Sequence, residues 1–339
     1  MLHINDITYR IDGRLLIDHA TAAIPAGHKV GLVGRNGSGK STLLKLITKQ
    51  LEPETGGISL PKRSVIGGVA QEAPAGPISL IDTVLAANTE RASLLEEAET
   101  ATDPHRIAEI QTRLADMNAH AAPARAATIL AGLGFDEETQ ARPCSDFSGG
   151  WRMRVALAAV LFAEPDLLLL DEPTNYLDLE GAIWLENYLK TYPYSVIIVS
   201  HDRDLLNRSV QGILHLDQMK LTYYQGGYDR FERTRREKQA LQMAMKSKQE
   251  DAKRHMEKFV ERFRYKASKA RQAQSRLKAL SKLEPIPDIV ADRMLPFHFP
   301  NAETPLSSPI ARMEGAAVGY EEGVPVLSGM DLRIDQDDR

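Results

Sequence analysis

Gly34-Arg35-Asn36-Gly37-Ser38-Gly39-Lys40-Ser41 decides the fold of this chain. The octapeptide satisfies the pattern G-x-x-x-x-G-K-[ST], a loop that wraps phosphate oxygens between a strand and a helix. Its flanks agree. Residues 29–33 read as a short buried strand entering the loop, and 40–49 as the helix leaving it, with Leu43, Leu44 and Ile47 at helical spacing. Gly34, Gly37 and Gly39 let backbone N–H groups close on an anion with no Cβ in the way. The helix that follows turns its positive end to the same anion. Arg35, Asn36, Ser38 and Thr42 complete the phosphate-binding set. The pattern predicts that Lys40 reaches the β- and γ-phosphates of a nucleotide and that the Ser41 hydroxyl ligates magnesium.

A later segment supplies what such a loop needs. Leu167-Leu168-Leu169-Leu170-Asp171-Glu172 is a uniform apolar run ending in two carboxylates, one for a metal and one as candidate base. Residues 167–170 and 196–199 have the length and even hydrophobicity of strands buried on both faces, as in a parallel sheet.

Composition sets the limits. The chain has 339 residues, which suggests two domains, and is 43% hydrophobic and 26% charged. Its single cysteine, Cys144, excludes an internal disulfide framework and fits a reducing, cytoplasmic setting. The first residues lack a basic-then-apolar signal pattern. The longest apolar run, 155–163, is half of what a membrane span requires, so no direct membrane insertion is expected. No histidine and cysteine fall at zinc spacing. The net charge of −4 hides an asymmetry. Residues 230–282 hold 18 Lys and Arg against 6 Asp and Glu, a net +12, and the remainder carries −16. No acidic residue lies in 263–283.

Outward from the loop, residues 2–24 alternate around Asp12-Gly13 and predict antiparallel strands. Residues 65–70 predict a strand. Residues 81–121 are helical in composition, with Ile107, Ile110, Leu114 and Met117 as an apolar stripe and Asp103-Pro104 as the turn of a helical hairpin. Residues 124–133 predict another helix, and 213–216 with 221–224 a hairpin across Gln218-Met219. One or two long polar helices are expected over 228–283, then a Pro-rich tether. Ala316-Ala317-Val318-Gly319-Tyr320 echoes Ile7-Thr8-Tyr9, and 331–339 runs parallel to 22–29. The expectation is the opening strands of a second nucleotide domain, broken off before its phosphate loop.

These motifs, in this order, resemble the nucleotide-binding domains of ATP-binding cassette proteins. Ser148-Gly149-Gly150 before Trp151-Arg152-Met153-Arg154 looks like the cassette signature, with Trp151 in place of the commoner glutamine, as in the ABC-F subfamily. Asp171-Glu172-Pro173-Thr174-Asn175, then Leu177-Asp178-Leu179-Glu180, resembles the same subfamily, although Tyr176 stands where histidine is usual. The resemblance implies an α/β fold: a P-loop NTPase cassette with a mixed sheet core, N-terminal antiparallel strands and a helical insert, followed by a long helical linker. It implies a cassette over 1–227 with an insert at 82–121, a basic linker over 228–300, and strands of an incomplete second cassette over 301–339.

Roles follow from the same resemblance. Tyr9 is expected to stack on adenine, Gln71 to sense the γ-phosphate and magnesium, and Asp171 to hold magnesium. Glu172 is expected to orient or activate water, His201 to contact the γ-phosphate, and Asp178 to cross the cassette interface. ATP and Mg2+ are the implied cofactors. Each ATP would be sandwiched between one phosphate loop and the partner's Ser148-Gly149-Gly150, so a second cassette in trans or a homodimer is required. The ABC-F linker resembles an arm that contacts transfer RNA in the ribosome. Here Arg262, Arg264, Lys266, Lys269, Arg271, Arg276 and Lys278 supply the density that suits a phosphate backbone. The implied function is ATP hydrolysis acting on the ribosome in translation. Two other readings stay open: the energising subunit of a membrane transporter, and a product that binds ATP and nucleic acid with little turnover.

Overall fold

The uniform apolar run at residues 167–170 needs a core on each side of its sheet, and the fold provides two. The computed structural model describes residues 1–69, 74–263, 275, 278, 308–320 and 323–335. It divides into two units, Met1–Glu284 and Pro285–Arg339.

The first unit opens with the antiparallel pair β1 (Leu2–Ile11) and β2 (Arg14–Ile24). Then come β3 (Lys29–Gly34), α1 (Lys40–Ile47), β4 (Thr55–Ser59) and β5 (Ile66–Gly68). The helices α2 (Leu80–Ala86), α3 (Thr89–Thr100), α4 (Pro104–Asp116), α5 (Ala122–Gly132) and α6 (Glu137–Gln140) follow. The rest of the cassette alternates: α7 (Gly149–Ala163), β6 (Leu167–Asp171), α8 (Leu179–Thr191), β7 (Ser195–Val199), α9 (Arg203–Ser209). A hairpin, β8 (Gly212–Asp217) and β9 (Lys220–Gln225), leads into α10 (Tyr228–Phe263).

The six-stranded sheet has the order β5-β6-β7-β3-β8-β9. All its pairs are parallel except the last, so the sheet is mixed as expected. A second sheet has the order β2-β1-β4. Strand side chains alternate faces. Accordingly Leu168 and Leu170 join Val196 and Ile198 in one core with α2, α5, α7 and α8, while Leu167 and Leu169 join Ile197 and Val199 in the other with α1, β1 and β2. Every strand that points a loop at the phosphate pattern does so from its carboxyl end, where parallel sheets place ligands.

The helical stretch expected over 81–121 divides in two. α2 packs into the cassette core, and the hairpin proper is α3 and α4. Asp103 caps α4 by accepting from the N–H of His105, with Pro104 in the first turn. Of the expected stripe, Ile110 and Leu114 are buried with Ala119, whereas Ile107 is exposed. Two of the expected elements are shorter than read. α1 stops at Ile47, because Lys49 is left-handed (φ 59°), and the strand expected at 65–70 spans Ile66–Gly68.

α10 is 36 residues, about 54 Å at 1.5 Å per residue. Its root is fixed by buried Phe231, which packs on Tyr224, Tyr228 and His215. Beyond the root it is largely exposed and pairs its own charges, as in Arg236–Glu232, Lys246–Glu250 and Lys253–Glu257. Lys278 is exposed and helical. Arg262 lies in α10, but its side chain is outside the described set, as are Arg264, Lys266, Lys269, Arg271 and Arg276 altogether.

The second unit is an antiparallel hairpin of β10 (Ala311–Val318) and β11 (Leu327–Ile334). It repeats a local irregularity of β1 and β2. Asp6 and His19 are left-handed (φ 51° and 44°), and so are Gly315 and Gly329 (φ 56° and 66°). The N–H of Asp6 donates to Thr21 across the bulge, and the N–H of Gly315 donates to Asp331. The next pair is Ile7 with Ala20 in the first hairpin and Ala316 with Met330 in the second.

Candidate nucleotide site

The phosphate loop is built by close backbone packing. At Gly34 a Cβ would stand 2.6 Å from the Leu216 carbonyl oxygen and 2.8 Å from Ser38 Oγ, so only glycine fits. Gly37 and Gly39 hold φ of 75° and 103°, the region that favours glycine. Leu16 of β2 lies against Gly39, where a Cβ would meet it at 2.9 Å. Arg35, Asn36 and Gly37 are exposed, and Thr42 is half-buried. Ser38 Oγ is buried with no hydrogen-bond partner among the described residues. Lys40 folds back over the loop, its Nζ donating to the carbonyls of Gly34 at 2.9 Å and Arg35 at 3.3 Å.

Ser41 and Asp171, two of the residues expected to hold the metal, lie side by side. Ser41 Oγ donates to Asp171 Oδ2 at 2.9 Å, tying the first turn of α1 to the end of β6. Among the described residues no three His, Cys, Asp or Glu side chains gather as a metal cluster. A cation here would therefore take the Ser41 hydroxyl, Asp171 and phosphate oxygens, the oxygen-rich, substrate-completed set that suits magnesium. The orphaned Ser38 hydroxyl, the cradle at Gly34 and this donor set all fit a nucleotide with a divalent cation.

Glu172 sits in an unusual backbone position, left-handed at φ 49° and ψ 54°. Its N–H donates to the Val199 carbonyl at 2.8 Å, which fixes the turn. Oε2 accepts from the His201 N–H at 3.2 Å. Oε1 is buried without a hydrogen bond and lies 3.4 Å from His201 Nε2, close but not aligned for one. Such strain at a carboxylate is characteristic of sites that hold a group ready for chemistry. Ser41, Asp171 and Glu172 line a cleft of about 970 Å3 that runs past Lys45 and Thr48 to Met153 and Arg154.

Other expected residues stand apart. Tyr9 is half-buried in β1 opposite Ile17 and packs partly on the α1-side core. Gln71 lies outside the described residues. Ser148 and Gly149 are exposed at the start of α7, where a Cβ on Gly149 or Gly150 would meet nothing within 4 Å. Among the described residues no hydrogen bond or ion pair joins Ser148, Gly149 or Gly150 to the phosphate loop of the same chain. Asp178 is engaged within its own chain. It caps α8 by accepting from the Gly181 N–H and pairs with Arg154 at 2.9 Å, and these hold its carboxyl below the usual carboxylate range.

Sequence reading missed Arg154. Its guanidinium lies 4.3 Å over the Trp151 ring and donates to the carbonyls of Leu133 and Tyr176 as well as to Asp178. One side chain thus joins the signature helix to the turn that follows Glu172. The only signal for it was the i, i+3 spacing from Trp151.

Comparison with known proteins agrees with this geometry. Two family models, both described as ABC transporter, match residues 17–175 and 214–299. The probable ATP-binding protein YheS of Escherichia coli K12 is 42% identical over 98% of this chain and 53% of its own. ABC transporter F family member 3 of Arabidopsis thaliana is 39% identical over 100% of this chain and 50% of its own. Human ATP-binding cassette sub-family F member 3 is 37% identical over 96% and 47%. The chain therefore spans about half the length of these relatives. Among solved structures, the ATP-binding subunit of an ABC transporter matches with a TM-score of 0.52 at 18% identity, over 69% of this chain and 92% of that one. That likeness shows the fold alone. With the two family matches and these relatives, the chain is an ATP-binding member of the ATP-binding cassette family, in its ABC-F branch.

Proposed function

We propose that this chain hydrolyses ATP between two cassettes and uses the resulting opening and closing to move its basic linker on the ribosome. The observation that carries the first half is the meeting of Ser41, Asp171 and Glu172 at the carboxyl ends of the strands, with Glu172 Oε1 left without a hydrogen bond. Magnesium, when bound by Ser41 and Asp171 and by Gln71, would neutralise phosphate charge and polarise the phosphoryl oxygen. Glu172 accepts the proton of the attacking water. Lys40 swings from the carbonyls of Gly34 and Arg35 onto the phosphates, and His201 contacts the γ-phosphate. The loop N–H groups position the chain of phosphates, and Tyr9 meets the base. Catalysis of this kind rests on positioning and charge neutralisation.

The outward-facing Ser148, Gly149 and Gly150 serve a second cassette, supplied in trans or by a second copy, and Asp178 faces that interface. The domain division proposed is a cassette over 1–227, a linker over 228–300 and second-cassette strands over 301–339. The repeated bulge in the second hairpin supports the last part. The basic linker, with Arg262 through Lys278, suits a phosphate backbone, and the target proposed for it is ribosome-bound transfer RNA in the cytoplasm, as the resemblance of the motifs to ABC-F proteins implies. The test is co-sedimentation with ribosomes of the wild type and of Glu172→Gln, with and without ATP. Retention of Glu172→Gln on ribosomes only with ATP is expected. Equal retention in all four conditions, or none in any, defeats the translation reading.

A further inference from the structure

Behind the phosphate loop lies a second cavity, of about 270 Å3, that shares no lining residue with the cleft at Ser41, Asp171 and Glu172. One wall is the loop itself, with Gly34 and Lys40, and His201. The other is the root of the linker: His215 of β8, and Tyr228, Phe231 and Arg235 of α10. Arg35 and Arg203 complete a lining that is rich in cations and holds no carboxylate among the described residues.

Two of these side chains lack partners of the kind they need. The Nε of Arg235 is buried with no hydrogen bond among the described residues, and its other end stands 3.9 Å from Asp217, beyond hydrogen-bond reach. His215 is only 7% exposed and makes no side-chain hydrogen bond among the described residues. The rings of Phe231 and Tyr224 flank it at 5.0 and 6.3 Å. Burial holds its imidazole below the ordinary range, Asp217 opposes that, and Arg235 adds to it. Arg203 stacks on the Tyr228 ring at 5.2 Å and makes no ion pair among the described residues. A cleft lined by one sign of charge and walled by low-dielectric side chains concentrates the opposite ion. Buried donors without acceptors ask for an acceptor with several oxygens.

We propose that this cavity binds inorganic phosphate at a place distinct from the nucleotide, held by Arg235, His215 and Arg203 between the phosphate loop and the root of α10. A water's share of the liquid is about 30 Å3, so the space admits a tetrahedral oxyanion and several waters. The anion accepts from the Arg235 guanidinium and from the ring N–H that His215 carries even when neutral. That the phosphate is the product of hydrolysis rests on the proposed function; the site does not. Placed there, product phosphate would touch the first turns of the linker helix directly, so its departure would be felt by α10.

The test is a titration of the full chain with inorganic phosphate at constant ionic strength, read at the His215 ring proton by NMR and assigned by its loss in His215→Gln. It is run with and without a saturating nonhydrolysable ATP analogue. A saturable shift is expected in both cases, and Arg235→Gln should weaken it at least tenfold while leaving analogue binding unchanged. Arg203→Gln, which alters only a stacked side chain, should weaken it at least threefold and serves should Arg235→Gln misfold. No saturable shift overturns the site. So does a shift that vanishes once the analogue fills the γ-phosphate place, and so does full affinity in both variants. If the analogue itself fails to bind, the nucleotide reading falls, and the nucleotide-free titration with the two variants still decides the anion site.

Discussion

Replacing Glu172 by glutamine separates the chemistry of the candidate site from its architecture. The left-handed backbone at Glu172, with φ of 49°, is fixed by its N–H bond to Val199 and does not depend on the carboxylate. The amide oxygen of glutamine can take over the bond from the His201 N–H that Oε2 now accepts at 3.2 Å. The amide nitrogen then occupies the place of Oε1, which has no hydrogen bond to lose. Fold and ATP binding should therefore survive, with a thermal midpoint within a degree or two of the wild type (on the order of 0.5 kcal/mol). What disappears, in the proposed reaction, is a proton acceptor beside the attacking water. General-base catalysis contributes roughly 10²- to 10⁴-fold, or about 3 to 5 kcal/mol at 1.36 kcal/mol per decade. Single-turnover phosphate release should fall by that factor, while filter binding shows ATP retained with equal or longer lifetime. Turnover equal to wild type would refute the role of Glu172. Loss of ATP binding in parallel with turnover would refute the claim that the carboxylate is separable from the loop.

Four further outcomes follow from other parts of the molecule. Gly34→Ala should lose ATP binding and about 1–3 kcal/mol of stability in denaturant unfolding, because its Cβ would stand 2.6 Å from the Leu216 backbone oxygen. Replacing Arg264, Lys266, Lys269 and Arg271 together by alanine should flatten the slope of log affinity against log salt for RNA by about 3, at 0.7–0.9 per phosphate contact. An unchanged slope would make the linker a spacer. His215 has a lowered folded-state pKa, so below its unfolded value of about 6.5 the unfolded chain binds a proton that the fold resists. Stability should thus fall as pH drops below about 6.5, and His215→Phe should lessen that fall; an identical pH profile in both proteins counts against it. Finally, specific ATPase activity should rise with protein concentration, and Glu172→Gln with ATP should sediment as a dimer. A monomer with robust, concentration-independent turnover would end the two-cassette sandwich.

Much of this fold is written in local pattern. The phosphate loop, the even apolar runs that become β6 and β7, the Asp103-Pro104 turn and the hairpin at Gln218-Met219 each depend on neighbours within a few residues. At that hairpin both turn residues are left-handed, with φ of 49° and 64°, which matches the twist of the strands they join. The pairing of Ser41 with Asp171 spans 130 residues, yet both ends sit in recognisable motifs, so it too was legible. Contacts that no spacing rule connects were not. Leu16 against Gly39, Arg154 against Tyr176 and Asp178, and His215 beside Arg235 depend on how elements pack, and none of those partners stands at a distinctive spacing in sequence. The end of α1 escaped for a smaller reason: Thr48 and Lys49, after the last apolar residue Ile47, include no glycine or proline to mark a stop, and the left-handed turn at Lys49 ends the helix.

Arg154 bears on how two such cassettes would sense each other. The signature glycines open outward at the start of α7, while Asp178 follows Glu172 by one short turn. The two regions belong to different active sites in the proposed sandwich, since among the described residues no hydrogen bond or ion pair joins the phosphate loop to Ser148, Gly149 or Gly150 of the same chain. Arg154 is only 11% exposed at its side chain and holds both at once, stacking on Trp151 and pairing with Asp178 at 2.9 Å. A displacement of α7 by a partner's ATP must therefore either carry Asp178 and the turn beside Glu172 with it or break a charge-assisted bond and a ring stack. Those are among the stronger polar contacts a surface cleft offers. Because packed interfaces shift between discrete arrangements rather than deform smoothly, this one arginine would give the two sites of the proposed sandwich a physical route by which filling one changes the geometry of the other.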